Sequence, residues 1–243
     1  YRFLIDQGIE GFWNDMNEAA IFYSEKHLKE VFEKMEDYKN MNLDVNTFFE
    51  MTGMIGGICN NPEDYASFYH NYKGRRYRHD QVHNLFGYYM TRSASEAFER
   101  YVPEKRILLF SRASYIGMHR FGGIWQGDNA SWWSHLKMNV KMMPSLNMCG
   151  FLYTGADVGG FGADATEDLV LRWLEFAVFT PLLRNHSARG TRRQEVYRFS
   201  HIEKFADVIG VRYQILPYIY SEYMKAALRN TMMFNPLAFL YGE

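Results

Sequence analysis

The segment Gly8-Ile9-Glu10-Gly11-Phe12-Trp13-Asn14-Asp15 gives the first indication of the fold, because it is a short apolar run that stops at polar residues, and this pattern recurs along the chain. Stretches with helical spacing separate the runs, and such alternation is typical of βα units. The sequence therefore predicts an α/β protein whose polar groups gather at the carboxyl ends of parallel strands. The four later runs end at Ser111-Arg112, Gly127-Asp128-Asn129, Gly155-Ala156-Asp157 and Arg184-Asn185-His186.

Residues 20 to about 78 break the alternation and predict an insertion after the first strand. Within it, the spacing of apolar residues predicts an amphipathic helix over 25–39. Asn61-Pro62 predicts a helix start for the stretch 63–72, since Asn caps helices and Pro suits their first turn. The stretch 52–57 predicts a loop or turn.

Two later helical stretches carry apolar stripes that predict buried faces. One stripe follows a cap at Thr166 and comprises Leu169, Val170, Trp173, Leu174, Ala177 and Val178. The other lies in a long helix over about residues 200–230 and comprises Phe205, Ile209, Tyr213 and Leu216.

The number of predicted strands indicates whether the chain contains a whole barrel. A whole (β/α)₈ barrel takes about 250 residues, and the chain has 243, but only five strands are predicted. Five βα units fit an open doubly wound sheet or the last five units of a barrel. Five of eight barrel strands would leave two unpaired sheet edges, so on the second reading we expect residues 1–243 to be a fragment of a longer polypeptide.

Composition excludes several classes of protein. With 47% hydrophobic and 17% aromatic residues, the chain is too apolar to be disordered. A net charge of −1 lacks the basic excess of proteins that bind nucleic acids or anionic membranes non-specifically, and no apolar run approaches the ~18 residues of a membrane span. Two cysteines, Cys59 and Cys149, favour a reducing compartment, so we expect a cytoplasmic location.

Two acidic motifs at predicted strand ends suggest glycoside cleavage. Asp15 and Asp128 each follow a strand and lie close to a tryptophan. Glycosidases need one carboxylate near the anomeric carbon and one acid at the leaving oxygen. Asp128 would have to remain protonated near neutral pH, which burial and the charge of Asp15 would favour. A single strand-end aspartate also serves as a helix cap or in a structural ion pair.

Other residues at predicted strand ends could bind a sugar. Arg112 and His186 offer a guanidinium fork and an imidazole for hydroxyl groups. Trp125 and Phe161 could stack on a pyranose ring or simply pack. Asp157 could bind substrate or orient Arg112, and we favour the second role.

These motifs together resemble glycoside hydrolase family 31, the family of α-glucosidases. Trp13-Asn14-Asp15-Met16-Asn17-Glu18 is similar to the family's nucleophile motif. The resemblance extends in the same order over Ser111-Arg112-Ala113, His119-Arg120, Trp125-Gln126-Gly127-Asp128-Asn129, Gly155-Ala156-Asp157-Val158-Gly159-Gly160-Phe161 and Arg184-Asn185-His186-Ser187, so it spans nearly the whole chain.

The resemblance implies a retaining α-glycosidase on a (β/α)₈ TIM barrel. Residues 1–243 would be the C-terminal portion of that barrel, with about strands 4 to 8 and their helices. Asp15 would be the nucleophile and Asp128 the acid/base, acting on an α-glucoside oligosaccharide without cofactor or metal. The implied substrate-binding residues are Arg112, His186, Trp13, Trp125, Phe161 and Met16, with Asp157 and Glu18 behind them.

The sequence departs from the family pattern at one position, and several alternative functions stay open. Members usually have Pro at the position of Ala19, so the turn behind Asp15 would be looser here. The same scaffold could cleave another α-glycoside or transfer glucose to a sugar acceptor. A non-catalytic sugar-binding relative is disfavoured because both carboxylates are present. A nucleotide-binding sheet needs a glycine-rich turn, and the nearest match, 155–160, has the wrong spacing.

Overall fold

Five neighbouring parallel segments form the centre of the structure, in a computed structural model that describes residues 1–20 and 23–242. The helices are α1 (Arg2–Ile5), α2 (Glu25–Glu36), α3 (Val45–Gly56), α4 (Pro62–Ser67), α5 (His79–Val82), α6 (Phe86–Tyr101), α7 (Trp133–Met148), α8 (Glu167–Ala177), α9 (Ile202–Arg229) and α10 (Leu237–Leu240). The strands are β1 (Gly11–Asn14), β2 (Tyr69–Tyr72), β3 (Arg75–Arg78), β4 (Leu108–Ser111), β5 (Asp157–Val158) and β6 (Arg184–Asn185). The predicted α/β alternation is confirmed outside the insertion.

The parallel segments follow one another in chain order. β1 pairs with β4 in parallel register, and β4 continues to the segment 123–126 through a parallel bridge between Phe110 and Gly123. The amide of Gln126 then donates to the carbonyl of Gly155 over 2.9 Å. β5 pairs with β6 in parallel register. Helices α6, α7 and α8 lie between successive segments in the sequence, as parallel strands require crossover connections.

The row of segments is strongly curved. In a flat sheet the first and fifth strands would be about 19 Å apart, since neighbours are separated by about 4.8 Å. Yet the guanidinium of Arg184, on β6, lies 4.1 Å from the ring centroid of Trp13, on β1. The concave side is therefore an interior in which side chains from distant strands meet, which is the geometry of a barrel wall rather than of an open sheet.

The largest buried cluster lies between the sheet and helices α8 and α9. Thr166 caps α8 as predicted, accepting from the amide of Leu169, and all six residues of the predicted stripe on this helix are buried, with Trp173 fully so. The predicted stripe of α9 is wrong in part. Phe205 is fully buried, but Tyr213 is 73% exposed and Leu216 is 42% exposed. Helical spacing identified the helix, but its packing partners decide which residues face them.

The insertion is helical with one β-hairpin, and its predicted details need correction. The helix that begins at Pro62 ends at Ser67, and the following residues form β2, which pairs antiparallel with β3. Lys73 and Gly74 make the two-residue turn with φ of 48° and 75°, as hairpin turns require. The predicted loop 52–57 is mostly helical, since α3 runs to Gly56. Residues 21 and 22 of the insertion lie outside the described residues.

Among residues 1–20 and 23–242, no helix combines the length and the hydropathy that crossing a membrane requires.

Gly155 lies where two neighbouring segments approach each other too closely for a side chain. A Cβ atom at this position would lie 2.2 Å from the carbonyl oxygen of Leu182. We therefore expect Gly155→Ala to lower the free energy of unfolding by about 1–3 kcal/mol, as overpacking does. The urea midpoint of the full-length protein measures this. The control is Gly210→Ala in α9, where a Cβ would contact nothing within 4 Å; it should be neutral or slightly stabilising. Equal midpoints for the two variants would contradict the close approach.

Candidate active site

Asp15 lies directly after β1, at the carboxyl end of the strand. The backbone turns sharply there, since Met16 has a φ of 56° and its amide donates to Oδ1 of Asp15 over 2.7 Å. The side chain of Asp15 is 52% exposed. The turn thus holds one carboxylate oxygen and presents the other outward.

Asn17 anchors this turn to the end of β4. Its side chain is 1% exposed, donates to Oγ of Ser111 over 2.8 Å and accepts from the amide of Ala113 over 2.9 Å. Because the amide group bonds through both its nitrogen and its oxygen, it sets the separation of the two strand ends. The loop with Asp15 and the loop with Arg112 are consequently one hydrogen-bonded unit.

Arg112 brings three acidic residues together. Its Nε and Nη2 donate to the two oxygens of Glu18 over 2.8 and 2.9 Å. Its Nη1 lies 3.2 Å from Oδ1 of Asp15 and 3.8 Å from Oδ2 of Asp128. These two oxygens are therefore at most about 7 Å apart, which admits the separation of about 5–5.5 Å found in retaining glycosidases.

Arg112 and Glu18 each stabilise the charged form of the other. Burial alone would raise the pKa of Glu18, but hydrogen bonds from Arg112 outweigh it, and the pKa of Glu18 is lowered from its ordinary 4.5. The hydrogen bond to Glu18 likewise raises the pKa of Arg112, aided by the charges of Asp15 and Asp128. The guanidinium is therefore a fixed cation between the two aspartates.

Asp128 lies in a tight loop after the third parallel segment. Gly127 has a φ of 80°, which glycine adopts without strain, and the side chain of Asn129 donates back to the carbonyl of Gln126 over 3.0 Å. The carbonyl of Asn129 accepts from the amide of Phe161 over 2.6 Å. The burial expected for Asp128 is not found, because its side chain is 49% exposed.

An aromatic layer lies beneath the carboxylates. The ring of Trp13 stacks on Phe110 at 4.5 Å and meets Trp125 at 4.6 Å. Trp125 is only 5% exposed, which favours packing over sugar stacking among the two roles predicted for this residue. Its ring packs against Trp13, Phe110 and Leu182 on neighbouring strands. Trp13 keeps partial exposure.

Asp157 also differs from its prediction. Its side chain is fully buried, and Oδ1 accepts from Nε of Arg184 over 2.6 Å. Burial raises the pKa of Asp157, and the opposing hydrogen bond and charge of Arg184 only partly offset it. Asp157 therefore does not orient Arg112, which Glu18 holds instead. The pairing follows from the register of β5 and β6, in which positions 157 and 184 are partners.

His186 and Phe161 stand together at the rim of the site. Their rings stack at 5.3 Å with an interplanar angle of 29°. His186 is exposed and Phe161 partly so. His186 follows β6 directly, and β6 runs parallel to β5, so the structure brings His186 to the same strand ends as the aspartates. Met16 is 45% exposed beside Asp15.

No group of three or more His, Cys, Asp or Glu side chains suited to a metal ion occurs within the described ranges, 1–20 and 23–242. The groups gathered around Asp15 and Asp128 include further carboxylates, the guanidinium of Arg112 and the imidazole of His186, which is a set suited to binding hydroxyl groups and to acid–base chemistry.

Comparison with known proteins agrees with this geometry. The family model described as the glycosyl hydrolases family 31 TIM-barrel domain matches residues 1–222. The chain belongs to glycoside hydrolase family 31. A curated relative, alpha-glucosidase 2 of Bacillus thermoamyloliquefaciens, is 32% identical over 247 aligned residues, which cover 100% of this chain and 27% of that protein.

Solved structures of family 31 share the fold. The family 31 alpha-glucosidase of Bacteroides thetaiotaomicron has a TM-score of 0.65 and is 29% identical, over 93% of this chain and 30% of that one. A family 31 dextranase of Flavobacterium johnsoniae has a TM-score of 0.72 at 24% identity, over 98% of this chain and 26% of that one, and is similar in fold. The curved parallel wall therefore belongs to a (β/α)₈ barrel, and the chain spans about a quarter of the length of the relatives it matches.

Sequence reasoning missed Arg184. It ends an apolar run and opens the motif Arg184-Asn185-His186-Ser187, and no role is predicted for it from the sequence, yet it pairs with Asp157 and stacks on Trp13. The available signal was its position directly after the apolar run 181–183, at the end of a predicted strand. Nothing in the sequence indicated that its partner would be an aromatic ring on the first strand.

The Asn17 anchor yields a test of stability. Asn17→Ala would leave the partly buried amide of Ala113 without its acceptor and remove the hydrogen bond that Oγ of Ser111 accepts, so we expect the free energy of unfolding to fall by about 1–3 kcal/mol. Chemical denaturation measures the change. The control Asn235→Ala removes an exposed side chain that donates only to a neighbouring carbonyl, and it should change stability by less than about 0.5 kcal/mol. A loss no larger than that of the control would show that Asn17 does not anchor the turn.

Proposed function

We propose that the polypeptide containing this chain is a retaining α-glycosidase, and specifically an α-glucosidase that hydrolyses terminal α-linked glucose from oligosaccharides. The observation that carries the proposal is the pair of ion contacts from one nitrogen of Arg112 to Asp15 and to Asp128. Membership of family 31 and relatives named alpha-glucosidase support it. Two carboxylates that lie this close together can act on a single glycosidic bond.

The reaction proceeds in two displacements. Asp15 attacks the anomeric carbon while Asp128 donates its proton to the leaving oxygen, so the glycosidic bond breaks as a β-linked glycosyl ester of Asp15 forms. Asp128, now ionised, removes a proton from water, and the water oxygen displaces Asp15 from the anomeric carbon. Two inversions leave the released sugar in the α configuration.

The remaining residues of the site bind and orient the sugar. Arg112 already has two of its nitrogens occupied by Glu18, which leaves Nη1 to contact Asp15, Asp128 and a substrate hydroxyl. His186, Phe161 and Met16 form the exposed rim and contact the ring and its hydroxyls. Trp13 presents the exposed part of its indole beside Asp15.

We further propose that residues 1–243 are the C-terminal portion of the catalytic barrel, with about strands 4 to 8 and their helices. The five parallel segments in chain order support this assignment, as does the share of about a quarter of the relatives' length. The remaining strands of the barrel, on the same polypeptide, complete the pocket and the interior.

Covalent trapping in the full-length protein tests the two aspartates. A fluorinated α-glucosyl reagent should label Asp15, and Asp15→Ala should abolish turnover. Asp128→Ala should lose about 10²–10⁴-fold on oligosaccharides, whose leaving groups need protonation, and far less on an activated aryl glucoside. Label on another residue would remove Asp15 from the nucleophile role, and equal losses on both substrates would remove Asp128 from the acid role. With maltose or isomaltose as the substrate, release of free glucose indicates hydrolysis, whereas formation of a longer oligosaccharide indicates transfer.

The role of Glu18 gives a second test. Glu18→Gln frees Arg112 from its charged partner, so we expect kcat to fall about 10–100-fold through misplacement. Because burial is outweighed by the hydrogen bonds from Arg112, which lower the pKa of Glu18 from its ordinary value, the carboxylate stays ionised between pH 5 and pH 8, and the loss should be constant over that range. The control is Glu96→Gln, which breaks a similar pair with Arg92 on the surface of α6. An unchanged kcat in Glu18→Gln would contradict the positioning of Arg112.

A further inference from the structure

The side chain of Arg184 reaches across the concave side of the barrel wall. It lies on β6, the fifth parallel segment, yet its guanidinium stacks 4.1 Å from the ring centroid of Trp13, on the first segment. The same guanidinium lies 5.6 Å from the ring centroid of Trp125, on the third segment. One side chain thus contacts aromatic rings from two other strands.

A buried carboxylate fixes the orientation of this guanidinium. Nε of Arg184 donates to Oδ1 of Asp157 over 2.6 Å, and Asp157 has no exposed surface. Within the described part of the chain, Oδ2 of Asp157 has no hydrogen-bond partner. Burying a carboxylate with one oxygen unpaired is unfavourable, so the pair is poorly explained by stability alone.

The two indoles are close in sequence to the two aspartates. Trp13 precedes Asp15 by two residues on β1, and Trp125 precedes Asp128 by three residues in its strand-end loop. A shift of either ring moves the backbone that carries the carboxylate. A planar guanidinium can stack on ring faces while still donating sideways to Asp157, which an ammonium group cannot do with the same geometry.

We propose that Arg184 is a positioning residue that holds the strand ends of Asp15 and Asp128 at their working separation by stacking on Trp13 and Trp125. The proposal rests on the proposed function of the two aspartates. Arg112 sets the distance from the side of the pocket, and Arg184 sets it from beneath, through the aromatic layer. Asp157 keeps the Arg184 guanidinium in the plane that this stacking requires.

The test is the conservative variant Arg184→Lys in the full-length protein, assayed on an aryl α-glucoside. We expect kcat to fall about 10–100-fold, since small misplacements of reacting groups have effects of this size, with KM changed by less than about threefold. Labelling of Asp15 by the fluorinated reagent should slow in parallel with kcat. Arg76→Lys is the matched control, because Arg76 stacks 3.8 Å from the ring of Tyr69 on the exposed hairpin; it should leave kcat and KM unchanged.

Two outcomes would overturn the proposal. A raised KM with kcat retained would mean that Arg184 binds substrate directly. An unchanged kcat, with only a lower urea midpoint, would mean that the pair is purely structural.

A second variant keeps the proposal testable if Arg184→Lys does not fold. Trp125 is 5% exposed and lies beneath the pocket, so Trp125→Phe weakens the stacking without removing a substrate contact. It should lower kcat as Arg184→Lys does, and the double variant should lose less than the product of the single losses. Independent, multiplicative losses would contradict a shared bridge.

Failure of the proposed function remains distinguishable from failure of this inference. If wild-type protein is not labelled at Asp15, the proposed function is wrong whatever Arg184 does. If wild-type protein is labelled at Asp15 while Arg184→Lys keeps its kcat, the proposed function stands and only this inference is wrong.

Discussion

The guanidinium of Arg112 is the contact on which the arrangement of the site depends. Three carboxylates that would repel one another, those of Asp15, Glu18 and Asp128, all lie within reach of this one cation. Glu18 takes two of its nitrogens, so the third is held in a fixed direction between the two aspartates. Without that charge, like-charge repulsion would drive the strand ends apart.

The barrel wall makes this convergence possible because its curvature turns strand ends toward one point. Small residues permit the curvature, as at Gly155, where any side chain would collide with the backbone of Leu182. Aromatic rings fill the resulting interior, and Trp13 contacts both Phe110 and Trp125 there. The rings are rigid and their faces accept cations, so the same layer that fills the interior also carries Arg184.

Several site residues were predictable because their positions follow from chain order alone. In parallel α/β folds every strand ends at the same edge of the sheet, so Asp15, Arg112, Asp128 and His186 were placed on one edge once their strands were recognised. Glu18 was placed behind the site by its motif. The aromatic residues were harder, because a tryptophan near a strand end can face a ligand or the core, and Trp125 proved to be 5% exposed.

The βα alternation, the polar strand ends and the family can all be read from the amino-acid sequence, since periodicity and motif order are local properties of the chain. The partner that each charged group takes follows only from the three-dimensional arrangement. Asp157 pairs with Arg184 instead of orienting Arg112, because strand register aligns 157 with 184. The same arrangement brings Arg184 to Trp13 across the interior, because the meeting of the first and fifth strands depends on how far the whole wall curves, and no stretch of sequence encodes that distance.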